Sequence, residues 1–221
     1  MDTTIVLVRH GRTAWNREPR FRGRADVPLD HYGLKQAAAV AQTIAGRYTP
    51  AAVLCSPLQR TVDTARPIAV AAGVPLQSHS ALIDMSFGKL AGLTLAEAAE
   101  AYPDLYRAWN SIPDTVAFPG GETIHDVRAR VASLVWRLRD QHPGGQVVLV
   151  SHDCVCRVLA CYLLGQHERD FWHLHFDTAS ISEFALRDGI AIARRLNDTA
   201  HMPPEEQKDR PAAEPTGSEA G

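Results

Sequence analysis

Long apolar runs and an excess of charge are both missing from this sequence. The sequence has 221 residues and contains no apolar stretch of the ~18 residues that a membrane-spanning helix requires. The opening residues, Met1-Asp2-Thr3, do not resemble a secretion signal. Lys and Arg number 23 against 25 Asp and Glu, so the net charge is −2. Without a global positive field, we expect a cytoplasmic protein whose main partner is neither nucleic acid nor a membrane.

Cysteine is also scarce. The four cysteines are Cys55, Cys154, Cys156 and Cys161, each within an apolar stretch. They do not form the spaced framework of a small secreted domain, so buried free thiols are predicted. A metal site at His152 and Asp153 is the alternative, but on a helix Cys154 and Cys156 would point about 200° apart. No second ligand cluster exists elsewhere, and we therefore expect neither a metal nor another cofactor.

The hydrophobic pattern predicts a fold of the α/β class. Short apolar runs at residues 4–8, 52–55 and 146–150 predict buried strands, and each precedes apolar positions at helical spacing. Residues 33–46 and 123–141 are further predicted helices, the second being the clearest in the chain. Alternating strands and helices indicate a three-layer sandwich with a mainly parallel central sheet and helices on both faces. The length suits one domain, which we assign to residues 1–199.

Residues typical of helix caps, turns and disordered segments refine this prediction of the fold. Ser56, Pro57 and Gln59 have the order of an N-cap, a first-turn proline and a capping box, which would place Arg60 in a first helical turn. Pro67 predicts a kink or break in that helix. Residues 180–186 and 190–196 predict a hairpin at the edge of the sheet. Residues 200–221 are rich in Pro, Glu, Ala and Gly, and this composition predicts a disordered tail.

Polar residues follow three of the predicted strands. Arg9 and His10 follow the first strand, Ser56 leads from the second to Arg60, and His152 follows the strand at 146–150. Taken singly, a histidine after a strand or an arginine at a helix start is more often structural. In a parallel sheet, however, these strand ends meet at one rim. Two imidazoles and two guanidiniums would repel each other there unless an anion were bound, and a phosphate-sized dianion is the simplest occupant.

A series of short motifs covers most of the chain. These are Arg9-His10-Gly11-Arg12-Thr13-Ala14-Trp15-Asn16, Phe21-Arg22-Gly23-Arg24-Ala25-Asp26-Val27-Pro28-Leu29, Ser56-Pro57-Leu58-Gln59-Arg60, Phe87-Gly88, Phe118-Pro119-Gly120-Gly121-Glu122 and Val150-Ser151-His152. In this order they resemble the motifs of the histidine phosphatase superfamily, in the branch that also contains cofactor-dependent phosphoglycerate mutases. The resemblance implies hydrolysis of small phosphomonoesters through a phosphohistidine.

The resemblance also implies roles for individual residues. It makes His10 the nucleophile, with Arg9, Arg60 and His152 holding the phosphoryl oxygens. Four further positions match family residues that contact phosphate or the leaving group: Thr13, Asn16, Arg22 and Gly23. Fixed cations of this kind can stabilise phosphoryl transfer without a metal ion.

Two carboxyl groups are candidates for the general acid that protonates the leaving group. Asp84 occupies the position where the family usually has glutamate, and its side chain is shorter by one methylene. Asp153 stands where this branch often has glycine, and it resembles the acid of the other branch. Alternatively, Asp153 only stabilises the start of a helix. Arg12 replaces an acidic residue of the signature, and no role is predicted for it.

Residues 89–119 are predicted to form a lid inserted over the active rim, with aromatic residues that form its own core or contact substrate. The lid has only two basic residues, Lys89 and Arg107, which favours a hydrolase over a phosphoglycerate mutase. A non-catalytic phosphate-binding adaptor is the third alternative. The sequence does not distinguish between sugar phosphates, nucleotides, cobamide precursors and small phosphoacids as the substrate. It does not determine the oligomeric state either.

Overall fold

The centre of the molecule is one β-sheet. The structure is a computed structural model, and it describes residues 2–187 and 189–202. Within those residues the sheet has six strands: β1 Thr3–Arg9, β2 Ala52–Cys55, β3 Leu76–Ser78, β4 Gln146–Ser151, β5 Ile181–Arg187 and β6 Ile190–Asp198. Their spatial order is β3-β2-β4-β1-β5-β6. The first four in that order pair in parallel, and β5 is antiparallel to both of its neighbours. The mainly parallel sheet is thus confirmed.

Helices cover both faces of this sheet. They are α1 His31–Arg47, α2 Gln59–Ala72, α3 Leu95–Ala101, α4 Pro103–Ser111, α5 Ile124–Gln141 and α6 Asp153–Leu163. Because side chains alternate along a strand, Ile5 and Leu7 of β1 pack in one cluster with α5 and α6. Val6 and Val8 pack in a second cluster with α1 and α2. The predicted three-layer sandwich is confirmed. No helix in the described residues has the length and apolarity needed to span a membrane.

The predicted capping box at Ser56 is wrong. Helix α2 begins at Gln59, and its N-cap residue is Leu58, whose side chain cannot accept a hydrogen bond. The carboxylate of Asp26, 33 residues away, accepts the backbone N–H of Gln59 instead at 2.8 Å. A distant carboxylate therefore replaces the local cap. Arg60 still lies in the first turn, as predicted.

Helix α2 does not break at Pro67. It extends through this residue to Ala72 and ends at Gly73, which has a left-handed φ of 67°. A proline inside a helix costs about 3 kcal/mol, since it removes a hydrogen bond and crowds the preceding turn. The buried face of the helix, which includes Ile68, packs against the sheet and offsets this cost.

Strand β3 and helices α3 and α4 were not predicted. Strand β3 has only three residues, two of them exposed, so it has no apolar run; its pairing with β2 places it in the sheet. Helices α3 and α4 lie within residues 89–119. Trp109 and Phe118 of this segment are buried in the α5 and α6 cluster, which agrees with a core role for them. The assignment of the segment as a lid stays a prediction.

The C-terminal hairpin is confirmed, with β6 at the edge of the sheet. The predicted tail at residues 200–221 is only partly within the described chain. Met202 is buried against the α1 and α2 cluster, so the ordered chain extends beyond Ala200. Residues 203–221 lie outside the described residues.

A close backbone contact joins the segment after β1 to the start of α1. A Cβ on Gly33 would lie 2.1 Å from the carbonyl oxygen of Arg12, and one on Gly11 would lie 2.7 Å from the carbonyl oxygen of Gly33. The side chain of Asp30 accepts the N–H of Gly33 at 2.8 Å and so caps α1. Glycine at both positions lets the segment that follows β1 pack directly on the helix.

We expect Gly33→Ala to destabilise the protein by roughly 1–3 kcal/mol, because backbone must move to admit the methyl group. Gly46→Ala is the matched control in the same helix, since a Cβ there meets no atom within 4 Å. That change should instead stabilise by roughly 0.5–1 kcal/mol through helix propensity. Urea unfolding of both variants measures the difference, and equal effects would contradict the close contact.

Candidate active site

His10 lies directly after β1, and its backbone is held from both neighbouring strands. Its N–H donates to the carbonyl of Ser151 at 2.9 Å. The N–H of Ala179, just before β5, donates to the carbonyls of Arg9 and His10 at 3.0 and 3.1 Å. Ala179 adopts a left-handed φ of 60°, which is unusual for a residue other than glycine. The surrounding pairing therefore holds a strained backbone at the site.

The hydrogen bonds of His10 determine which ring nitrogen can react. Nδ1 lies 2.7 Å from the carbonyl oxygen of Gly11, and because that oxygen can only accept, Nδ1 must hold the proton. The lone pair of a neutral His10 is therefore on Nε2. Burial, followed by the charges of Arg60 and Arg9, holds the pKa of His10 well below 6.5. The imidazole of His10 is therefore neutral at pH 7, with its lone pair on Nε2.

His152 is fully buried beside His10, with the ring centroids 5.3 Å apart in an edge-on arrangement. Arg60 Nε donates to its Nδ1 at 3.2 Å, so its proton is on Nε2, which donates to Ser56 Oγ at 2.8 Å. Burial and then Arg60 hold the pKa of His152 well below 6.5. Both ring nitrogens are engaged, and contact with a phosphoryl oxygen would require one of these bonds to be exchanged.

Arg60 connects several segments behind the site. It is 1% exposed, and it donates from Nη1 to the carbonyl of Ala25 at 2.7 Å and from Nη2 to that of Gly23 at 2.9 Å. Nη2 also donates to Oδ2 of Asp84 at 3.2 Å. With the bond to His152, these contacts use all but one of the five guanidinium N–H groups. One Nη1–H is left to donate to an anion.

Arg9 and Arg22 have unused donors. Arg9 Nη1 donates to Oδ1 of Asp153 at 3.0 Å and to the carbonyl of Phe176, while its buried Nε has no partner among the described residues. Within the same part of the chain, no protein group bonds to the Arg22 guanidinium. Burial, with a smaller effect from Arg9, lowers the pKa of Arg22 to about 10, so it remains charged at pH 7. Both side chains are suited to bind an oxyanion.

Asp84 and Asp153 have opposite electrostatic surroundings. Burial raises the pKa of Asp84, although Arg60 and the N–H of Met85 partly counteract it. Burial also tends to raise the pKa of Asp153, but the positive charges of Arg157 and then Arg9 outweigh this effect. The pKa of Asp153 therefore lies below its usual value. Asp84 is thus the carboxyl group better able to hold a proton, whereas Asp153 stays ionised between two arginines.

These groups surround one cavity of about 270 Å³. Of the predicted site residues, five line it: Arg9, His10, Arg22, Asp84 and Asp153. Arg60 and His152 lie behind them, in contact with Asp84 and His10. Its other walls are formed by Arg20, Phe21, Phe87, Leu95, Tyr106, Trp109, Asn110, Cys154, Arg157, Trp172 and His175. Four arginines face two aspartates, so the cavity favours an anion.

The structure places three predicted phosphate-binding residues away from the cavity lining. Thr13 is buried, and both its N–H and its hydroxyl donate to Oδ1 of Asn16, at 2.8 and 2.9 Å. Gly23 has a φ of 51° and presents its carbonyl to Arg60, and a Cβ there would lie 3.0 Å from the carbonyl of Met85. In this arrangement Thr13, Asn16 and Gly23 shape the loops around the site.

Arg12, for which the sequence predicts no role, has a structural one. Its Nε donates to Asp30 at 2.8 Å, and its guanidinium lies 4.3 Å from the centre of the Tyr32 ring. These contacts fix the loop after His10 to the start of α1. Arg12 does not line the cavity.

One cavity residue, Arg157, lies outside the sequence motifs but can be recognised by its spacing from another residue. Arg157 follows Asp153 by four residues on a predicted helix, and this spacing alone indicates an ion pair. Trp172 lies in a short 3-10 helix after α6, at residues Glu168–His173, and His175 follows that helix. No periodicity or motif marks either residue. Only the tertiary fold places these two residues at the cavity.

The site contains nucleophilic, acidic and cationic groups but no evident metal-binding cluster. Among the described residues, no three His, Cys, Asp or Glu side chains are grouped so that they could hold a metal ion. Cys55, Cys156 and Cys161 are buried free thiols, as predicted, and burial raises the pKa of Cys55 to about 11. Cys154 is only partly buried. The arrangement of a neutral imidazole, a protonatable carboxyl and fixed guanidiniums suits transfer of a phosphoryl group.

Comparison with known proteins agrees with this chemistry. The family model for the histidine phosphatase superfamily, branch 1, matches residues 5–199. The chain is 33% identical over 198 residues to phosphoserine phosphatase 1 of Hydrogenobacter thermophilus, covering 90% of this chain and 93% of that protein. It is 34% identical over 202 residues to the metal-independent phosphoserine phosphatase of Arabidopsis thaliana, covering 90% and 83%. The structure of mycobacterial glucosyl-3-phosphoglycerate phosphatase superposes with a TM-score of 0.83 at 28% identity, covering 90% and 100%.

The neutral state of His10 can be tested by NMR titration of the ring-labelled protein. We expect a pKa below 6.5 in the free protein. Arg9→Met should raise it, because the nearby positive charge is removed, and bound inorganic phosphate should raise it as well. Arg139→Met, which removes a cation paired with Asp140, is the control and should leave it unchanged. A pKa of 6.5 or higher without phosphate would contradict the assigned electrostatics.

Proposed function

Since the chain belongs to branch 1 of the histidine phosphatase superfamily and is a phosphomonoesterase, we propose that it hydrolyses small phosphomonoesters through a phosphohistidine on His10. The observation that supports this most is the state of His10. Its Nδ1 proton is held by Gly11, and its Nε2 lone pair is left as the nucleophile in a cavity lined by cations. Such a nitrogen needs no base to activate it.

In the first half-reaction, Nε2 of His10 attacks phosphorus and forms the N–P bond. The bond between phosphorus and the ester oxygen breaks, and its electron pair goes to that oxygen. Asp84 donates its proton to the same oxygen, so the alcohol leaves neutral. The raised pKa of Asp84 supports this role, because a carboxyl group must be protonated to act as an acid.

In the second half-reaction, water attacks phosphorus and the N–P bond breaks, returning its electron pair to Nε2 of His10. The Asp84 carboxylate accepts the proton of the water. Inorganic phosphate leaves, and both residues regain their starting states. The same carboxyl group thus acts first as acid and then as base.

The charge on the transferred group is balanced by fixed cations in this proposal. Arg9 and Arg22 supply unused donors, and Arg60 supplies its remaining Nη1–H. Phosphoryl transfer depends mainly on positioning and charge stabilisation, which these groups provide without a metal ion. The Arabidopsis relative is a metal-independent phosphoserine phosphatase, and this supports metal-independent action here.

A small phosphorylated acid is the substrate that we favour. At about 270 Å³, the cavity is at or below the low end of the ~300–1,000 Å³ typical of ligand sites. That size favours phosphoserine, named in two relatives, over a glycosylated phosphoglycerate. With Asp84 protonated, the four arginines face Asp153 and the Glu18 carboxylate that pairs with Arg20 at 2.8 Å. The excess of two positive charges matches phosphoserine, whose carboxylate and ammonium cancel and leave the phosphate dianion.

A mutase would also have to bind a second phosphate-bearing position near the predicted lid. The two basic residues of residues 89–119 do not line the cavity: Lys89 is exposed, and Arg107 is exposed and paired with Asp104 at 3.3 Å. This supports hydrolysis over isomerisation. Retention of His10, Arg9 and a candidate acid likewise argues against a non-catalytic adaptor.

We also propose that the enzyme acts in the cytosol, with neither nucleic acid nor membrane as a partner. The free thiols suit a reducing compartment. The net charge of −2 gives no global attraction to polyanions.

A panel of phosphomonoesters assayed in EDTA tests the function. The wild type should release phosphate from phosphoserine and p-nitrophenyl phosphate, and His10→Ala should lose turnover and covalent labelling because it removes the nitrogen that attacks phosphorus. With 3-phosphoglycerate, phosphate release should exceed isomerisation. The measurements are free phosphate, product identity and acid-quenched labelling.

Three outcomes of this panel would contradict the proposal. Activity that EDTA removes and a divalent metal restores would show a metal requirement. Labelling of His10→Ala would place the covalent intermediate elsewhere. Isomer as the dominant product would assign the chain to the mutases.

The second test separates the two candidate acids by leaving group. Asp84→Asn should slow hydrolysis of alkyl phosphates by roughly 10²–10⁴-fold but of p-nitrophenyl phosphate much less, because p-nitrophenolate needs little protonation. For alkyl phosphates, the rate should fall as pH rises through the raised pKa of Asp84, and Asp84→Asn should lose that fall. Asp153→Asn is the comparison variant, and it should slow both substrates by similar factors. A steeper leaving-group dependence in Asp153→Asn alone would make Asp153 the acid.

A further inference from the structure

Arg157 is a charged residue that the mechanism above does not use. It lies one helical turn after Asp153 on α6, it is 3% exposed, and it contributes to the cavity wall. Burying a guanidinium is costly unless its charge and N–H groups are satisfied. A buried cation beside the cavity therefore needs a structural or functional reason.

The surroundings of Arg157 fix it from several directions. Its Nε donates to Oδ2 of Asp153 at 2.9 Å, and its Nη1 donates to the carbonyl of Leu174. The guanidinium carbon lies 5.4 Å from the ring centre of Phe171 and 5.0 Å from that of Trp172. The side chain is thus held between two aromatic rings and an ionised carboxylate.

The other oxygen of the same carboxylate holds Arg9. Oδ1 of Asp153 accepts from Arg9 Nη1 at 3.0 Å, and the carbonyl of Phe176 accepts from the same Nη1. One end of the Arg9 guanidinium is fixed in this way, while its buried Nε is left without a partner in the described structure. A continuous chain of contacts therefore runs from Arg157 through Asp153 to Arg9, which lies beside His10.

We infer that Arg157 is a positioning residue for phosphoryl transfer, acting through Asp153 on the Arg9 guanidinium. The inference rests on the proposed function, because Arg9 is taken to bind the phosphoryl oxygens. A guanidinium binds an oxyanion well only when its planar N–H groups are correctly directed. Without Arg157, Asp153 is held by Arg9 alone, and the carbonyl of Phe176 is the only fixed partner that still orients the Arg9 guanidinium among the described residues.

Direct contact between Arg157 and the organic part of the substrate is the rival explanation, since Arg157 lines the cavity. The two explanations differ in one respect. A positioning residue affects every phosphomonoester and inorganic phosphate by the same factor, and its effect depends on Arg9. A substrate-contacting residue affects only substrates that reach it, whatever stands at position 9.

A double-mutant cycle between positions 157 and 9 tests the inference. Arg157→Met should weaken inorganic phosphate binding, measured by calorimetry, and lower kcat on p-nitrophenyl phosphate and phosphoserine, each roughly tenfold. In the Arg9→Lys background, the same change should cost less than about twofold, because the lysine has no planar fork for Asp153 to orient. Arg157→Lys, which keeps the charge, should recover part of the loss.

Arg128→Met is the matched control. Arg128 is also a cation over an aromatic ring, 5.2 Å from the centre of Tyr162, and it pairs with Glu168 at 2.7 Å, but it does not line the cavity. It should leave phosphate affinity unchanged. Should Arg157→Met not fold, Asp153→Asn breaks the same chain of contacts with little change of shape and should give the same dependence on Arg9.

The outcomes are distinguishable from failure of the proposed function. An equal loss in the wild-type and Arg9→Lys backgrounds would overturn the inference, and so would a loss confined to phosphoserine. Unchanged phosphate affinity and rates in Arg157→Met would also overturn it while leaving the function intact. If the wild type binds inorganic phosphate but releases none from any ester, the proposed function fails, and the calorimetric cycle still decides the role of Arg157.

Discussion

The buried guanidinium of Arg60 donates hydrogen bonds to three separate parts of the chain, and the geometry of the site depends on them. It holds the carbonyls of Gly23 and Ala25, the carboxylate of Asp84 and the imidazole of His152. Helix α2 brings Arg60 to this position, and the Asp26 carboxylate, from the same loop as Gly23 and Ala25, caps the start of that helix. The loop and the helix therefore fix each other, and the candidate acid is held between them.

Burial, followed by the surrounding positive charge, explains the low pKa of both histidines. In a site already rich in guanidinium groups, protonating His10 or His152 would add charge that burial and Arg60 both disfavour. The neutral form that results is also the nucleophilic form. In the proposed mechanism, the phosphoryl group brings negative charge to these cations, so its binding and the nucleophilic state of His10 have the same electrostatic origin.

The sequence predicts the fold and part of the site for a clear physical reason. Buried parallel strands such as β1 and β4 require continuous apolar runs. The polar residues that follow these runs, His10 and His152, can therefore be identified from the sequence alone. Strand β3 is too short to show a pattern, and the Asp26 cap of α2 depends on a contact across 33 residues. The aromatic wall formed by Trp172 depends on packing between distant segments, and no local pattern encodes it.

The pairing of β1 has a consequence for how the domain folds. The backbone of His10 lies just after β1, yet Ala179, which bonds to its carbonyl, and strand β5, which completes the pairing of β1, are far from it in the sequence. Contacts of such large sequence separation form slowly, because the intervening chain must close first. The backbone around His10 is therefore completed only when these distant segments pair, so the site forms together with the closure of the sheet.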